Sequence, residues 1–199
     1  MQPEVEQPVL KLFALVSEAL SRATWALLNG DVALGQTVVA ADREIDEQTA
    51  SVERLVWVTI EGGGPAPGDL RQLVAVLLIL SELERSADLA EHIAQRAVAN
   101  VGADMTPVSR GIVQRMSEVA VEMWRSAADA YAGGRAGAVE LHEADEELDL
   151  LHERLSEEVA TGTMLPPVAA QVTLIARFYE RIGDHAVNLS RRTGTAAGR

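Results

Sequence analysis

The sequence contains no cysteine and no long apolar segment, and each absence excludes a class of protein or site. Without cysteine among its 199 residues, the chain can form neither disulfides nor thiolate sites, so any metal must be bound by carboxylate, imidazole or amide oxygen. The longest apolar run, Leu73 to Leu80, is far shorter than the ~20 residues that span a bilayer. The N-terminus has glutamates where a secretory signal would have basic residues. We therefore expect a cytoplasmic protein without membrane insertion.

Basic residues are also few, since 17 Lys and Arg stand against 30 Asp and Glu and the formal charge is −13. Such a charge repels a phosphate backbone, and the sequence has no basic stripe with interleaved aromatic residues. Nucleic acid is therefore not an expected partner. Nothing resembles a nucleophile with its base, or a glycine-rich phosphate loop after a strand, so we do not expect an enzyme.

The alternation of apolar and polar residues that marks a half-buried strand is missing as well. Apolar residues instead recur at three- and four-residue steps, which predicts an all-α protein. On the third helix this spacing forms the seam of a bundle, made of Leu73, Leu77, Leu80, Leu83, Ala87, Ala90, Ala94 and Ala97. Turn and capping residues, among them Asp69 as a helix cap, delimit six helices. We expect them at about 8–28, 32–60, 69–100, 107–131, 136–160 and 166–192.

The second half of the chain repeats the first. The Glu-Arg-x-x-Asp motif that begins at Glu84 recurs 96 residues later at Glu180, and the segment ADREID at 41–46 recurs as ADEELD at 144–149. An internal repeat of this kind predicts two tandem, repeat-related three-helix bundles of long antiparallel helices. The expected division is a first repeat at 1–102, a second at 103–193 and a disordered tail at 194–199.

Carboxylates in repeat-equivalent positions are the main candidates for a binding site. Spacing of i and i+4 places two acids on one helix face, where like charges repel by a few tenths of a kcal/mol. If the second helix packs beside the third and the fifth beside the sixth, these acids converge into two oxygen-rich clusters suited to hard or borderline cations. The four pairs are Asp42 with Asp46, Glu84 with Asp88, Asp145 with Asp149, and Glu180 with Asp184.

Other interpretations of these acidic stripes stay open. Acids on a helix commonly form a solvated face, here salt-bridged to Arg43, Arg85 or Arg181. Asn188 and its first-half equivalent His92 extend the stripe by one turn, where either could supply a ligand or a hydrogen bond to one.

A separate zinc or nickel site could form on the fifth helix alone, because two histidines there share a stripe with two aspartates. The first half has Val39 and Thr49 where these histidines stand. The stripe consists of His142, Asp145, Asp149 and His152. Small seam residues, Ala87 and Gly183, indicate close helix approach, and the tryptophans Trp25, Trp57 and Trp124 are expected in the core or an interface.

The duplicated strings LERSADLAEHIA and YERIGDHAVNL, with the ADREID and ADEELD segments before them, resemble the PhoU family of phosphate-signalling regulators over essentially the whole chain. The resemblance implies two three-helix bundles, a cytoplasmic location and repression of the phosphate-starvation response. It implies contacts with the ATPase subunit of the phosphate ABC transporter and with the sensor histidine kinase of the two-component system. A homodimer is the expected assembly. In some members multinuclear iron or zinc clusters are bound through motifs that correspond here to Glu84, Asp88, Glu180 and Asp184.

Two functions compete with this non-catalytic adaptor. A di-metal carboxylate oxidase of the ferritin-like kind expects two Glu-x-x-His motifs in a four-helix bundle, whereas only Asp149 and His152 stand in that register here. The other is a metal-free helical protein with a purely structural role. Elemental analysis separates metal-binding from metal-free protein, and oxygen consumption with ferrous iron tests the oxidase.

Overall fold

Helices account for nearly all of the chain that the computed structural model describes, which is residues 3–62, 66–133 and 138–196. Within those ranges there are six α-helices, one short 3-10 turn at Val101–Asp104, and no strand. The all-α prediction is therefore confirmed. The helices are α1 (Pro3–Asn29), α2 (Val32–Glu61), α3 (Pro67–Val98), α4 (Pro107–Tyr131), α5 (Ala138–Thr161) and α6 (Pro166–Ala196).

Local turn chemistry sets most of the helix boundaries. Between α1 and α2, Gly30 adopts φ +66°, and the Asp31 side chain accepts a hydrogen bond from the Leu34 N–H at 2.9 Å. The left-handed glycine ends the first helix, and the aspartate caps the second. The prediction that Asp69 caps α3 is wrong. The helix begins at Pro67 after Ala66, because the fixed φ and missing N–H of proline suit the first helical position, so Asp69 lies in the first turn.

The other differences concern helix ends. The first helix begins at Pro3, five residues before the predicted start, and it accommodates Pro8 within its first turns. The last helix continues to Ala196, beyond the predicted end near residue 192 and into the segment expected to be a tail. Residues 197–199, like residues 136–137 at the predicted start of α5, lie outside the described ranges.

The helices form two three-helix bundles that meet along their sides. The first three helices pack against one another, and so do the last three, while α1 contacts α4 and α3 contacts α6. Short connections make consecutive helices antiparallel, as predicted. The two middle helices, α2 and α5, lie at the outer edges. This arrangement confirms tandem repeat-related bundles, and it places α2 beside α3 and α5 beside α6.

One hydrophobic core runs through both bundles. On α4, Trp124 is 1% exposed and is buried with Val113, Met116, Val119 and Met123. The α3 seam is buried except for Leu77, which is partly covered. Close helix approach at Gly183 is confirmed, since a Cβ there would lie 2.5 Å from the Leu148 Cδ2. Trp25 and Trp57, which are 61% and 47% exposed, lie outside this core, so an interface is the expectation that stays open for them.

Buried hydroxyl groups connect the two halves inside this core. The Tyr179 hydroxyl on α6 lies 2.6 Å from the Thr24 Oγ1 on α1, and the Ser117 hydroxyl on α4 donates to the same Thr24 oxygen at 2.9 Å. Complete burial raises the pKa of Tyr179 to about 12. The phenol is therefore neutral and its hydrogen bonds fix the positions of three helices from both bundles.

Within the described ranges, no helix is both long and apolar enough to cross a membrane.

Candidate functional site

The packing of α2 on α3 brings the first-half carboxylates close enough to interact. The Asp42 side chain is partly buried, and its pKa is raised to about 6, first by this burial and then by the charges of Asp46, Glu91, Asp88 and Glu84. Two of these neighbours belong to the predicted pair on the other helix. The structure thus places the two predicted pairs of the first half in one electrostatic cluster.

The pKa of Glu84 is also raised, first by burial and then by Asp46, Asp88 and Glu53, with a smaller opposing effect of Arg85. Glu53 and Glu91 therefore join the four predicted acids. Sequence reasoning missed them because it relied on the internal repeat, and the equivalent second-half residues are not acidic. Helical spacing would have found them, since Glu91 lies one turn beyond Asp88. We call these six residues the first acidic cluster: Asp42, Asp46, Glu53, Glu84, Asp88 and Glu91.

In the second half, burial raises the pKa of Asp145, with further contributions from Asp149 and Asp184. Burial likewise raises the pKa of Glu180, where Asp184 and Asp149 act in the same direction. The second acidic cluster therefore consists of the four predicted residues, Asp145, Asp149, Glu180 and Asp184.

The two clusters differ in how far basic groups offset their charge. In the second cluster, Arg177 forms an ion pair with Glu180, and His152 also lowers the pKa of that carboxyl. His142 and Arg191 likewise lower the pKa of Asp145. In the first cluster only Arg85 opposes the upward shifts described above, and it affects Glu84 alone. The first cluster is the more strongly acidic of the two.

The salt-bridge interpretation fits only part of this arrangement. The Arg43 guanidinium bonds Glu47 at 2.8 Å, one turn further along α2 and outside the cluster. The arginine that pairs with Glu180 is Arg177, which the sequence analysis did not name. The pair of Arg43 with Glu47 is on exposed helix surface, where such bonds contribute little to stability, whereas the Glu180 side chain is only 17% exposed.

The donor chemistry of both clusters fits a hard or borderline cation, because the predicted ligands offer only carboxylate oxygen. Partial burial and mutual repulsion raise the pKa values of Asp42, Glu84, Asp145 and Glu180, and a bound cation would relieve both effects. Among the described residues, however, no three His, Asp or Glu side chains are grouped closely enough to hold a metal ion. The structure brings the acids into neighbouring positions without forming a ligand set.

The additional candidates occupy different surroundings. The His92 ring packs on Phe178 with 5.4 Å between centroids, and its Nδ1 is buried without a hydrogen-bond partner in the described part of the chain. Asn188 is half-buried. The His142 ring is exposed, and its Nε2 lies 3.5 Å from the Glu146 carboxylate.

A buried polar network between α3 and α6 was not predicted. Glu82, Ser86 and His185 are each at most 6% exposed. The Ser86 hydroxyl lies 2.7 Å from the His185 Nδ1, and the Arg192 guanidinium donates to the Glu82 carboxylate at 2.9 Å. Burial lowers the pKa of His185, although the Glu82 carboxylate 3.8 Å from its Nε2 acts in the opposite direction. The network joins the two bundles at their contact.

The repeat-equivalent positions on the other side of this contact are apolar. Phe178 stands where the repeat would place a second Glu82, and Arg96, the equivalent of Arg192, lies over the Phe178 ring at 5.0 Å from its centroid. Ile182 takes the place of Ser86. One pair of helices thus forms a charged contact at one end and a cation–π contact at the other. Ser86 is polar and its repeat equivalent Ile182 is apolar, because Ser86 lies at the charged end of this contact.

On the opposite face, α1 and α4 enclose an open groove with a volume of about 750 Å³. Its lining includes the hydroxyls of Thr24 and Ser117 and the exposed ring of Trp25. Arg110 also lines it, but its guanidinium is occupied by the carbonyl oxygens of Gly102, at 2.6 Å, and Leu28.

Fold and surface together define an all-helical protein of two repeated bundles, each with a carboxylate cluster on its second and third helices. The PhoU domain family matches residues 9–97 and 113–193, one segment in each half. The chain belongs to the PhoU family.

Similar proteins extend over nearly the whole length. The phosphate-specific transport system accessory protein PhoU homolog 2 of Mycobacterium tuberculosis is 32% identical over 193 residues, covering 95% of this chain and 91% of that protein. The PhoU homolog of Aquifex aeolicus is 33% identical over 184 residues, covering 89% and 82%. The crystal structure of PhoU from Pseudomonas aeruginosa superimposes with a TM-score of 0.89 at 25% identity, covering 98% of this chain and 96% of the other.

Proposed function

We propose that this chain is a cytoplasmic negative regulator of phosphate uptake and of phosphate-starvation signalling. It acts as a non-catalytic adaptor, and its partners are the ATPase subunit of the phosphate ABC transporter and the sensor histidine kinase of the two-component system. A homodimer is the proposed assembly.

The observation that carries this proposal is the match of the PhoU domain to both halves of the chain. Relatives similar over most of this chain are named accessory proteins of phosphate-specific transport. An accessory role suits a molecule whose distinctive features are long helix faces with clustered charge, because such faces are suited to binding other proteins.

Deletion of the gene, together with any paralogue, tests the regulatory role. The expected result is that phosphate-starvation genes are expressed even when phosphate is plentiful, and that the reintroduced wild-type chain silences them. A transcriptional reporter for that regulon provides the measurement. If the reporter stays silent at high phosphate in the complete deletion strain, the regulatory proposal is wrong.

We also propose that the acidic clusters bind iron or zinc, because their desolvated carboxylates lack sufficient basic partners, above all in the first cluster. The residues that would hold metal are the four predicted acids of each half. A bound cation would neutralise their mutual repulsion and hold the neighbouring helices together.

The metal proposal is tested one cluster at a time by plasma mass spectrometry of purified protein. Glu84→Ala with Asp88→Ala should remove metal from the first cluster, and Glu180→Ala with Asp184→Ala should remove it from the second. Helicity measured by circular dichroism should be unchanged, since removal of like charges does not destabilise a helix. If both double variants contain as much metal as the wild type, these acids are not metal ligands and form a solvated helix face.

A further inference from the structure

One face of α3 exposes a row of large apolar side chains. Leu70, Val74 and Leu78 follow at four-residue steps and therefore share a face, and their side chains are 40%, 46% and 48% exposed. The neighbouring helix α2 adds Trp57, which is 47% exposed. We call these four residues the apolar stripe. Single exposed apolar residues are common on proteins, but several on one helix face typically mark a binding surface.

Along α2 and α3, the apolar stripe lies nearer to the connection between these helices than the first acidic cluster does. Glu53 of α2 raises the pKa of Glu84 of α3, so the two residues lie near each other. Trp57 is one turn beyond Glu53 toward the α2–α3 connection. Because the helices are antiparallel, Leu78 also lies on that side of Glu84. The surface therefore changes from acidic to apolar as it approaches the connection.

The second half provides a comparison inside the same molecule. Its equivalent positions on α6 are Pro166, Ala170 and Leu174, and the equivalent of Trp57 on α5 is Ala160. Only Leu174, at 41% exposure, is a large exposed side chain of this set. The same bundle architecture thus forms without the stripe, so packing of the fold does not require these apolar residues.

We propose that, in the metal-free protein, the apolar stripe and the first acidic cluster together bind an amphipathic helix of a partner protein, one that presents Lys or Arg beside large apolar side chains. Leu- or Phe-type residues would pack on the stripe while the cations meet the carboxylates. An anionic lipid surface is disfavoured because the carboxylates would repel it. A second copy docking by the same face is disfavoured because two acidic clusters would face each other.

This inference rests on the proposed function, which it deepens by specifying the chemistry of the partner segment. The charge of the surface makes a general prediction for that segment. The partner segment should be basic on one side, since the surface that binds it is acidic. Its affinity should fall as the salt concentration rises.

The test uses a fluorescein-labelled synthetic helix of 18 residues with leucine at i, i+4 and i+7 steps and lysine on the flanks, with binding followed by fluorescence anisotropy. Val74→Glu with Leu78→Glu changes the stripe. Ala170→Glu with Leu174→Glu places the same charges at the equivalent positions of the second half. The first pair should weaken binding by about tenfold or more, whereas the control pair should bind like wild type.

Added glutamates increase the attraction for a cationic peptide, so weaker binding identifies lost apolar contact rather than lost charge. Circular dichroism confirms that both variants fold. No binding to the wild-type chain, or equal effects of the two pairs, would overturn the proposal. It would also be overturned if the Val74 and Leu78 pair abolished binding to phosphatidylglycerol vesicles, or self-association in sedimentation, while peptide binding persisted.

Reporter strains separate this proposal from the regulatory one. The deletion strain is complemented with the wild-type chain or with either double variant. Failure of the wild-type chain to silence the reporter contradicts the regulatory function, irrespective of the peptide result. Silencing by the wild-type chain and by both variants contradicts the docking surface alone.

Discussion

At Asp42, partial burial and four neighbouring carboxylates act in the same direction, and the pKa of this side chain is raised to about 6. In the unfolded chain the same group has a value near 3.8. The folded state therefore binds more protons between these two values, and the contribution of Asp42 to stability falls as pH rises through that range. The ionised group destabilises the metal-free protein at neutral pH.

Asp42→Asn is expected to stabilise the protein at pH 7.5 in the presence of a chelator. Because the side chain is only partly buried, solvent screening reduces the gain to about 1 kcal/mol. The gain should disappear near pH 4, where the wild-type carboxyl is protonated in the folded state. Urea unfolding at both pH values measures the difference, with Asp129→Asn, at an exposed aspartate of α4, as the control. A gain that is the same at both pH values would contradict the assigned cause.

Repetition explains which site residues the sequence reveals. The four carboxylate pairs were found because two pairs of the first half each recur in the second half at a fixed offset. Glu53 and Glu91 belong to the first cluster but have no acidic equivalents, and the buried contact of Glu82 with His185 has none either. A comparison of the two repeats identifies site residues that both halves contain, but it does not identify residues that only one half contains. For Trp57 the sequence left core and interface as alternatives, because the local pattern does not distinguish a buried tryptophan from an exposed one.

At the scale of elements, helix boundaries could be predicted wherever glycine, proline or a capping residue marks them. The fourth helix begins and ends where expected, and the turn at Gly30 forms as expected. Errors occur where these markers are weak or compete. Pro67 precedes Asp69 and starts α3 first. At the C-terminal end of α6, Gly194 did not end the helix, which continues to Ala196.

The connection between the halves is predicted to depend on Gly102. A Cβ at this position would lie 1.8 Å from the carbonyl oxygen of Leu27, which is backbone and cannot move without displacing α1. Gly102→Ala should therefore destabilise the protein by roughly 2 to 4 kcal/mol. At Gly111, on α4, a Cβ would meet no atom within 4 Å. Gly111→Ala should stabilise by about 0.5 to 1 kcal/mol through helix propensity.

Chemical denaturation of both glycine variants gives the comparison. The sign should differ between the two substitutions, because the same added methyl group meets backbone at one site and solvent at the other. Equal effects would show that the 3-10 turn can shift away from α1.

For the molecule as a whole, the repeat predicts two bundles but not how they join. The apolar spacing of each helix predicts that one of its faces is buried. The same spacing results whether that face packs within its own bundle or against the other bundle. The contacts of α1 with α4 and of α3 with α6 follow from the width of the buried faces and from buried polar groups such as Thr24 and Glu82. A polar residue within an apolar helix face does not predict which helix it will contact, because its hydrogen-bond partner cannot be identified from the sequence.

The shared core predicts that both bundles unfold together. Differential scanning calorimetry should show one transition with equal calorimetric and van't Hoff enthalpies. Glu82→Ala leaves Arg192 and His185 without their carboxylate and should destabilise this single unit by about 2 to 4 kcal/mol. The Tm should then fall by roughly 5 to 15 °C, whereas Glu143→Ala, at an exposed glutamate of α5, should leave it unchanged. Two resolved transitions would show that the bundles are independent.

The contact between α3 and α6 has a consequence for how such a molecule can diversify. In a symmetric pair of identical chains, any substitution appears at both ends of the shared contact, so a buried glutamate would have to be accommodated twice. Covalent linkage of the halves removes this restriction. Glu82 faces Arg192 at one end, while Phe178 receives Arg96 at the other. A single chain can thus alter one half of its surface and preserve the other, which permits its two ends to recognise different partners.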